Sequence, residues 1–390
     1  MTLERALWAF GVWAALLAGI LVAWSPRYWA VSVAIASVAI VLVAWLIFAR
    51  NIRIPKQTPL VALIGGFGFL QVALHTSVLP QMTIETATVW ALGAGVFIVS
   101  GDILRDRDAR GVFLRLMLWS MTVLAVVAMF QAYGSPDKVF GIFAATDGGA
   151  GTLLSRNQFA AMMELAAPIA LWYTMGRNPV PGGLCYVMIL AAAFTAASRA
   201  GVVLIGLELV VFLVMAMATR RREAGAALAI FGGVGVLVAA ACIIAGTDQI
   251  QARFEDQDPF ALRRELTAST VKLIAERPIS GYGLGTWRSV YPQAATLDTA
   301  LLANEAHNDW AQWTSDGGIP FTILMLGLVL WISKPAVESI WGLGVISVMA
   351  HSYVDYPIRE PALSFLWFAM AGAVSQYRKR ENRGHRNHAE

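Results

Sequence analysis

Apolar runs of about 17 to 22 residues recur along nearly the whole chain, the length an α-helix needs to cross about 30 Å of hydrocarbon. They predict twelve transmembrane helices, over residues 6–24, 29–49, 60–79, 85–104, 112–133, 158–176, 182–198, 200–219, 225–246, 318–333, 335–354 and 361–377. The rhythm breaks twice, at 134–157 and over the much longer 247–317. Inside the second break, Asp258 and Pro259 read as the start of a helix whose apolar face is Leu262, Leu266, Leu273 and Ile274, with Pro278 ending it. A second helix is expected from near Asn304 to Gly317 and Gly318. Between the two, "PISGYGLGTW" has glycines suited to tight turns or close approach to a ligand. No strand precedes it and its spacing is wrong for a dinucleotide fingerprint, so a plain turn is the simpler reading.

Composition agrees with the pattern. A chain of 390 residues that is 58% hydrophobic and only 14% charged has too little polar surface to cover a water-soluble core. The expected fold is all-α: one polytopic membrane domain over 1–390, with 247–317 as a long helical loop within it. The first run lacks a small-residue cleavage site and reads as a retained helix.

Charge then sets the orientation. With a cytoplasmic N-terminus, Arg50, Arg53 and Lys56, then Arg105, Arg107, Arg110 and Arg115, then Arg220 to Arg222, and lastly Arg378, Lys379, Arg380, Arg383 and Arg386 all fall inside. The short outer loops keep only Arg27, Lys138, Arg156, Arg199 and Arg359, so both termini are expected in the cytoplasm and 247–317 outside. The isoelectric point of about 9.2 is therefore a topology signal rather than a sign of nucleic-acid binding. Cys185 and Cys242 fall in spans without a CxxC or a nearby histidine, which points to buried small residues rather than a metal or redox site.

Candidate chemistry concentrates on the outer side. "NEAHNDWAQW" surrounds His307 with Asn304, Glu305, Asn308 and Asp309. Histidine is the side chain best suited to accept a proton near neutral pH, and Asn304 or Asp309 would fix its tautomer. The alternative is a capping histidine on an interfacial helix, with Trp310 and Trp313 as headgroup anchors. Arg199, in "AASRAG", sits between two spans with almost no loop to carry it into water, so it either snorkels or binds an anion. Arg263 and Arg264 head an outer helix, Arg156 begins the sixth span in "SRNQF", and Arg359 lies in "HSYVDYPIRE". Guanidinium forks match phosphate oxygens, which suits a pyrophosphate if several converge; singly, each reads as a solvated surface arginine. Glu164 and Glu208 lie within spans, and His351 and Asp355 form an i, i+4 pair at the outer end of the eleventh.

The strings "RRELTASTVKLIAERPISGYGLGTWRSVYP", "EAHNDWAQWTSDGGIP" and "HSYVDYPIREPA", with "SRNQFA" and "SRAG" upstream, resemble the O-antigen ligase and polymerase superfamily of bacterial membrane glycosyltransferases over about residues 150 to 365. The resemblance implies a GT-C-like inner-membrane enzyme with a periplasmic active site and no metal, nucleotide or other cofactor. Its donor would be a glycan on undecaprenyl pyrophosphate. Its acceptor would be lipid A core in a ligase or another lipid-linked repeat unit in a polymerase, with membrane lipids around it. By position His307 matches the family's proposed base, and Arg199 and Arg263 match arginines that hold the donor pyrophosphate. Relatives often have Trp where this chain has Thr267, which leaves Arg264 as the alternative to Arg263. Arg156 joins the donor group, Asp355 matches the "HSxxD" segment, and Asn304, Asp309 and Arg359 are supporting candidates. The competing class is a lipid-glycan flippase. Against it stand the absence of a matched pair of broken helices in repeated halves and the outward position of the unusual polar residues.

Overall fold

The computed structural model describes residues 3–144, 149–176, 179–219, 232, 261–296 and 303–377. Among them are thirteen α-helices. In chain order these are α1 (Leu3–Val22), α2 (Tyr28–Phe48), α3 (Thr58–Ala73), α4 (Pro80–Ile103), α5 (Arg107–Gly134), α6 (Arg156–Thr174), α7 (Val180–Thr195), α8 (Arg199–Thr219), α9 (Ala261–Glu276), α10 (Trp287–Val290), α11 (Asp309–Ser339), α12 (Leu343–His351) and α13 (Pro361–Ser375). A two-residue hairpin, Lys138–Val139 against Phe143–Ala144, follows α5.

Six of these helices, α1, α2, α4, α5, α8 and α11, are long and apolar enough to cross a membrane, and α3, α7 and α13 are shorter apolar helices. Ile40, Leu46, Ile47 and Phe48 of α2 and Phe130 of α5 turn outward, a surface suited to lipid. At the centre, every residue of α13 from Ala362 to Val374 is buried, and so is α6 from Gln158 to Leu171. The chain is thus an all-α polytopic membrane protein. The expected span 225–246, the residues Arg220 to Arg222, Cys242, the helix start at Asp258 and Pro259, and the basic tail from Arg378 lie outside the described residues, except for Gly232. Cys185 is a free, buried thiol.

Three expectations change. The helix expected over 304–317 and the span expected over 318–333 are two parts of α11, which breaks at Gly318 (φ 71°, ψ 175°) and resumes. The span expected from 335 to 354 does not form: α11 continues through Pro335 to Ser339, the chain reverses at Ile340 (φ 64°), and only the nine residues of α12 follow. On α9, Leu266 and Leu273 are buried with Tyr282, Trp287 and Tyr291, whereas Leu262 of the expected apolar face is exposed.

The glycine segment is a strap that closes the break in α11. Ile319 N–H donates to the Pro278 carbonyl (2.8 Å), Tyr282 N–H to Ser315 (3.1 Å) and Gly283 N–H to Asp316 (2.8 Å). Backbone groups freed by the kink therefore find partners, as an apolar surrounding demands. Gln71 of α3 locks the strap with its amide: Nε2 donates to the carbonyls of Ser280 (2.8 Å) and Asp316 (2.9 Å), and Oε1 accepts from Leu284 N–H (3.0 Å). Gly281 is required here, because its φ is +61° and a Cβ would stand 2.2 Å from the Asp316 carbonyl oxygen. "PISGYGLGTW" is a structural clamp of backbone contacts.

The strap also identifies two faces. Thr83, one turn into α4, lies against Gly283, and Asp102 near the other end of α4 is about 28 Å away at the helical rise. Arg5 reaches Asp102, and Tyr377 packs on Trp341 beside Arg110 at the start of α5. Both described ends of the chain therefore lie on the face opposite the strap.

Candidate functional site

On the strap face three separate segments meet: the first turn of α6, the chain leading into α11, and the turn between α12 and α13. Asn308 caps α11, its Oδ1 accepting from Ala311 N–H (3.0 Å), which explains why the helix starts at Asp309 rather than near Asn304. Just before the cap, His307 adopts φ +53°, a left-handed conformation that a histidine tolerates only where its neighbours enforce it. Enforcement comes from Gln312, whose Oε1 accepts from Ala306 N–H (2.9 Å) while its Nε2 donates to Glu305 (2.8 Å). Glu305 in turn accepts from Arg359 Nε at 3.0 Å.

The resulting geometry aims His307 at Asp355. Nδ1 of the imidazole is 3.2 Å from Asp355 Oδ1. Arg263 Nη2 stands 3.5 Å from Oδ2 of the same carboxylate, to which the Asn157 side-chain amide also donates, and Tyr356 N–H donates to Oδ1 at 3.0 Å. Burial acts to raise the Asp355 pKa, but the hydrogen bond and charge of His307 and the Arg263 guanidinium outweigh it and hold the group below the ordinary aspartate value. The accessible partner is the histidine, with 31% of its side chain exposed against 3% for Asp355. Tyr356 meets the imidazole edge to face, centroids 4.9 Å apart, and burial with the nearby Asp355 charge pushes its phenol up to about 12, so it stays neutral.

His307, Asp355 and Arg263 are in direct contact. Arg264, one step round α9, is exposed. Arg156 begins α6 next to Asn157, and a cavity of about 210 Å³ opens beside it between α5, α6 and the end of α7, with Gln131, Thr195 and Ala197 in its wall. Arg199 is exposed at the first residue of α8, two residues beyond Ala197. Asn304 is exposed.

Some roles differ from expectation. Asp309 does not orient His307; its Oδ2 accepts from Ser352 Oγ and Ile358 N–H, both at 3.2 Å, and so secures the turn that bears Asp355. Arg359 is drawn inward to Glu305 rather than outward. Trp313 packs on Trp310 and on Trp90 within the bundle, and Trp310 Nε1 donates to the Met349 carbonyl (2.9 Å), so neither serves as a headgroup anchor. The pair His351 and Asp355 is divided: buried His351 turns to Glu164 of α6 with Nδ1 2.6 Å from Oε1, and Asp355 turns to His307.

Asn157 was missed as a site residue although "SRNQF" was singled out, since nothing local marks which amide faces a carboxylate 198 positions away. Glu305 and Gln312 were likewise given no role. Replacing Glu305 with alanine leaves the Arg359 guanidinium without its closest acid and frees the segment before His307. The expected cost is on the order of 2 kcal/mol, below the figure for a fully buried pair because 26% of the Arg359 side chain remains accessible. A lowered melting temperature in detergent checks it, and an unchanged one would show that the pair does not hold the segment.

Residues 184–326 match the family model described as O-antigen ligase, a stretch from α7 to the middle of α11 that includes Arg199, Arg263, Arg264 and His307. A comparison with curated proteins gives no match.

Proposed function

We propose, from the match of residues 184–326 to the O-antigen ligase family model, that the protein moves a glycan from undecaprenyl pyrophosphate to a hydroxyl of lipid A core on the periplasmic face of the bacterial inner membrane. The observation that supports this reading best is the His307 imidazole, held with Nδ1 3.2 Å from a buried carboxylate. A carboxylate only accepts, so in the neutral imidazole Nδ1 carries the proton and Nε2 keeps its lone pair. Nε2 takes the acceptor's hydroxyl proton as that oxygen bonds to the anomeric carbon and the carbon–pyrophosphate oxygen bond breaks.

Negative charge grows on the departing pyrophosphate. Arg263, Arg199 and Arg156 are the residues we assign to neutralise it, with Arg264 as the alternative partner on α9. The cavity of about 210 Å³ beside Arg156 suits a group of that size. The leaving group supplies its own activation, and the arginines take the role a divalent cation has elsewhere, so the reaction is metal-independent. Single displacement inverts the anomeric centre.

Purified protein in detergent, given lipid-linked glycan and lipid A core, tests the reading. Covalent transfer with inversion, unaffected by EDTA, is the expected result. A product of retained configuration would rule out single displacement. Polymer formed between two lipid-linked units instead would make the protein a polymerase, and no covalent product under any pairing would favour the flippase.

A further inference from the structure

The face opposite His307 holds a second charged cluster, at the end of α4. Asp102 is buried there. Its carboxylate accepts from Trp45 Nε1 (3.3 Å) and Arg53 N–H (2.9 Å), with Arg105 Nη2 at 3.5 Å and Arg5 Nη2 at 4.0 Å. Arg5 Nη1 donates to the Asp102 carbonyl (3.1 Å) and Arg105 Nη2 to the Asn51 carbonyl (3.2 Å). Arg5 from α1 and Arg105 from the α4–α5 turn thus share one acid, which also anchors the backbone of Arg53 in the α2–α3 loop.

Arg5 and Arg105 share this carboxylate, Arg53 adds a third positive charge within electrostatic reach of Arg105, and with Asp106 also acting on Arg105 three cations face two acids, one positive charge in excess. Asp106, the next acid, is engaged at the start of α5, where Oδ1 accepts from Asp108 N–H and Ala109 N–H. Solvated arginines would spread apart, yet Arg5 and Arg105 keep only 20% and 18% of their side chains accessible. Arg105 Nη1 is enclosed and has no hydrogen-bond partner among the described residues, although a guanidinium N–H is a strong donor. Burial, and then the neighbouring Arg5, hold Arg105 below its ordinary pKa, consistent with crowded like charges. Phe48, Ile52 and Ile54 are exposed on either side of Arg53, so acyl-chain surface adjoins the cationic pocket.

We propose that Arg5, Arg53 and Arg105 form a binding site for the phosphate of one anionic lipid headgroup, whose acyl chains lie along the apolar residues beside Arg53. The site is independent of the glycan-transfer reading. An anionic headgroup there compensates the excess charge, meets the enclosed N–H, and ties α1 to the loops flanking α4.

The test uses the full chain in nanodiscs of phosphatidylcholine alone, of phosphatidylcholine with phosphatidylglycerol, and of phosphatidylcholine with inorganic phosphate in the buffer. Phosphatidylglycerol is expected to raise the melting temperature and to be retained in native mass spectra, with inorganic phosphate having no such effect. Arg53→Gln, at an exposed side chain, is expected to weaken lipid retention by about fivefold, and Arg5→Gln with Arg53→Gln to abolish the thermal shift. Equal retention and shift in wild type and variants would overturn the site, and equal stabilisation by inorganic phosphate alone would assign it to a free ion rather than a lipid.

Discussion

Replacing His307 with alanine is expected to slow glycan transfer by about 10²- to 10⁴-fold, the contribution of a positioned general base, while the protein still folds. The contacts of the imidazole are modest: the Asp355 carboxylate and the edge of Tyr356, with 31% of the side chain exposed. Removing it opens no sealed cavity. The left-handed conformation at φ +53° is the complication, because alanine adopts it less readily than histidine. His307→Asn separates the two effects, since asparagine tolerates that conformation but cannot take a proton. Both variants should show near-native melting temperatures in detergent and a comparable loss of labelled glycan on the acceptor. A near-normal rate in His307→Asn would remove the imidazole from the chemistry.

The hydrophobic pattern made much of the fold legible, because a membrane imposes a length on every crossing helix. The helix starts were less legible: Asp106 caps α5 ahead of the expected residue 112, and Asn308 caps α11 beyond the expected Asn304. The break at Gly318 was read as an end, since glycine signals termination and nothing local says that a distant strap will supply the missing hydrogen bonds. The same blindness applied at the site. His307 drew notice from its polar neighbours, yet its partner is 48 residues away, while Asp309, two residues away, faces the turn at 352–358. Sequence spacing within a loop carries no direction. On α9, where it does, adjacent residues diverge by about 100°, and Arg263 reaches Asp355 while Arg264 points to solvent.

Asp355→Asn is expected to cost nearly as much as loss of the base, up to about 10⁴-fold as in triads where the orienting carboxylate becomes an amide, although Asp355 touches no substrate in the proposed reaction. The native carboxylate accepts from His307, Asn157, Arg263 and the Tyr356 N–H together. An amide has one accepting oxygen, and its NH₂ group confronts donors. Either the imidazole loses its partner or it turns to the tautomer with Nε2 protonated, which cannot accept the hydroxyl proton. A stability signature accompanies the rate. The folded pKa of Asp355 lies below its unfolded value of about 3.9, so its stabilising contribution is fully present above that value and is lost as pH falls through the folded pKa. The stability advantage of wild type over Asp355→Asn should therefore shrink on acidification below pH 4 and be steady near neutrality. A variant that kept the rate within about tenfold of wild type, a change of only about 1.4 kcal/mol in barrier, would mean that the imidazole is oriented by something other than this carboxylate, and the assignment of His307 as the base would lose its main support.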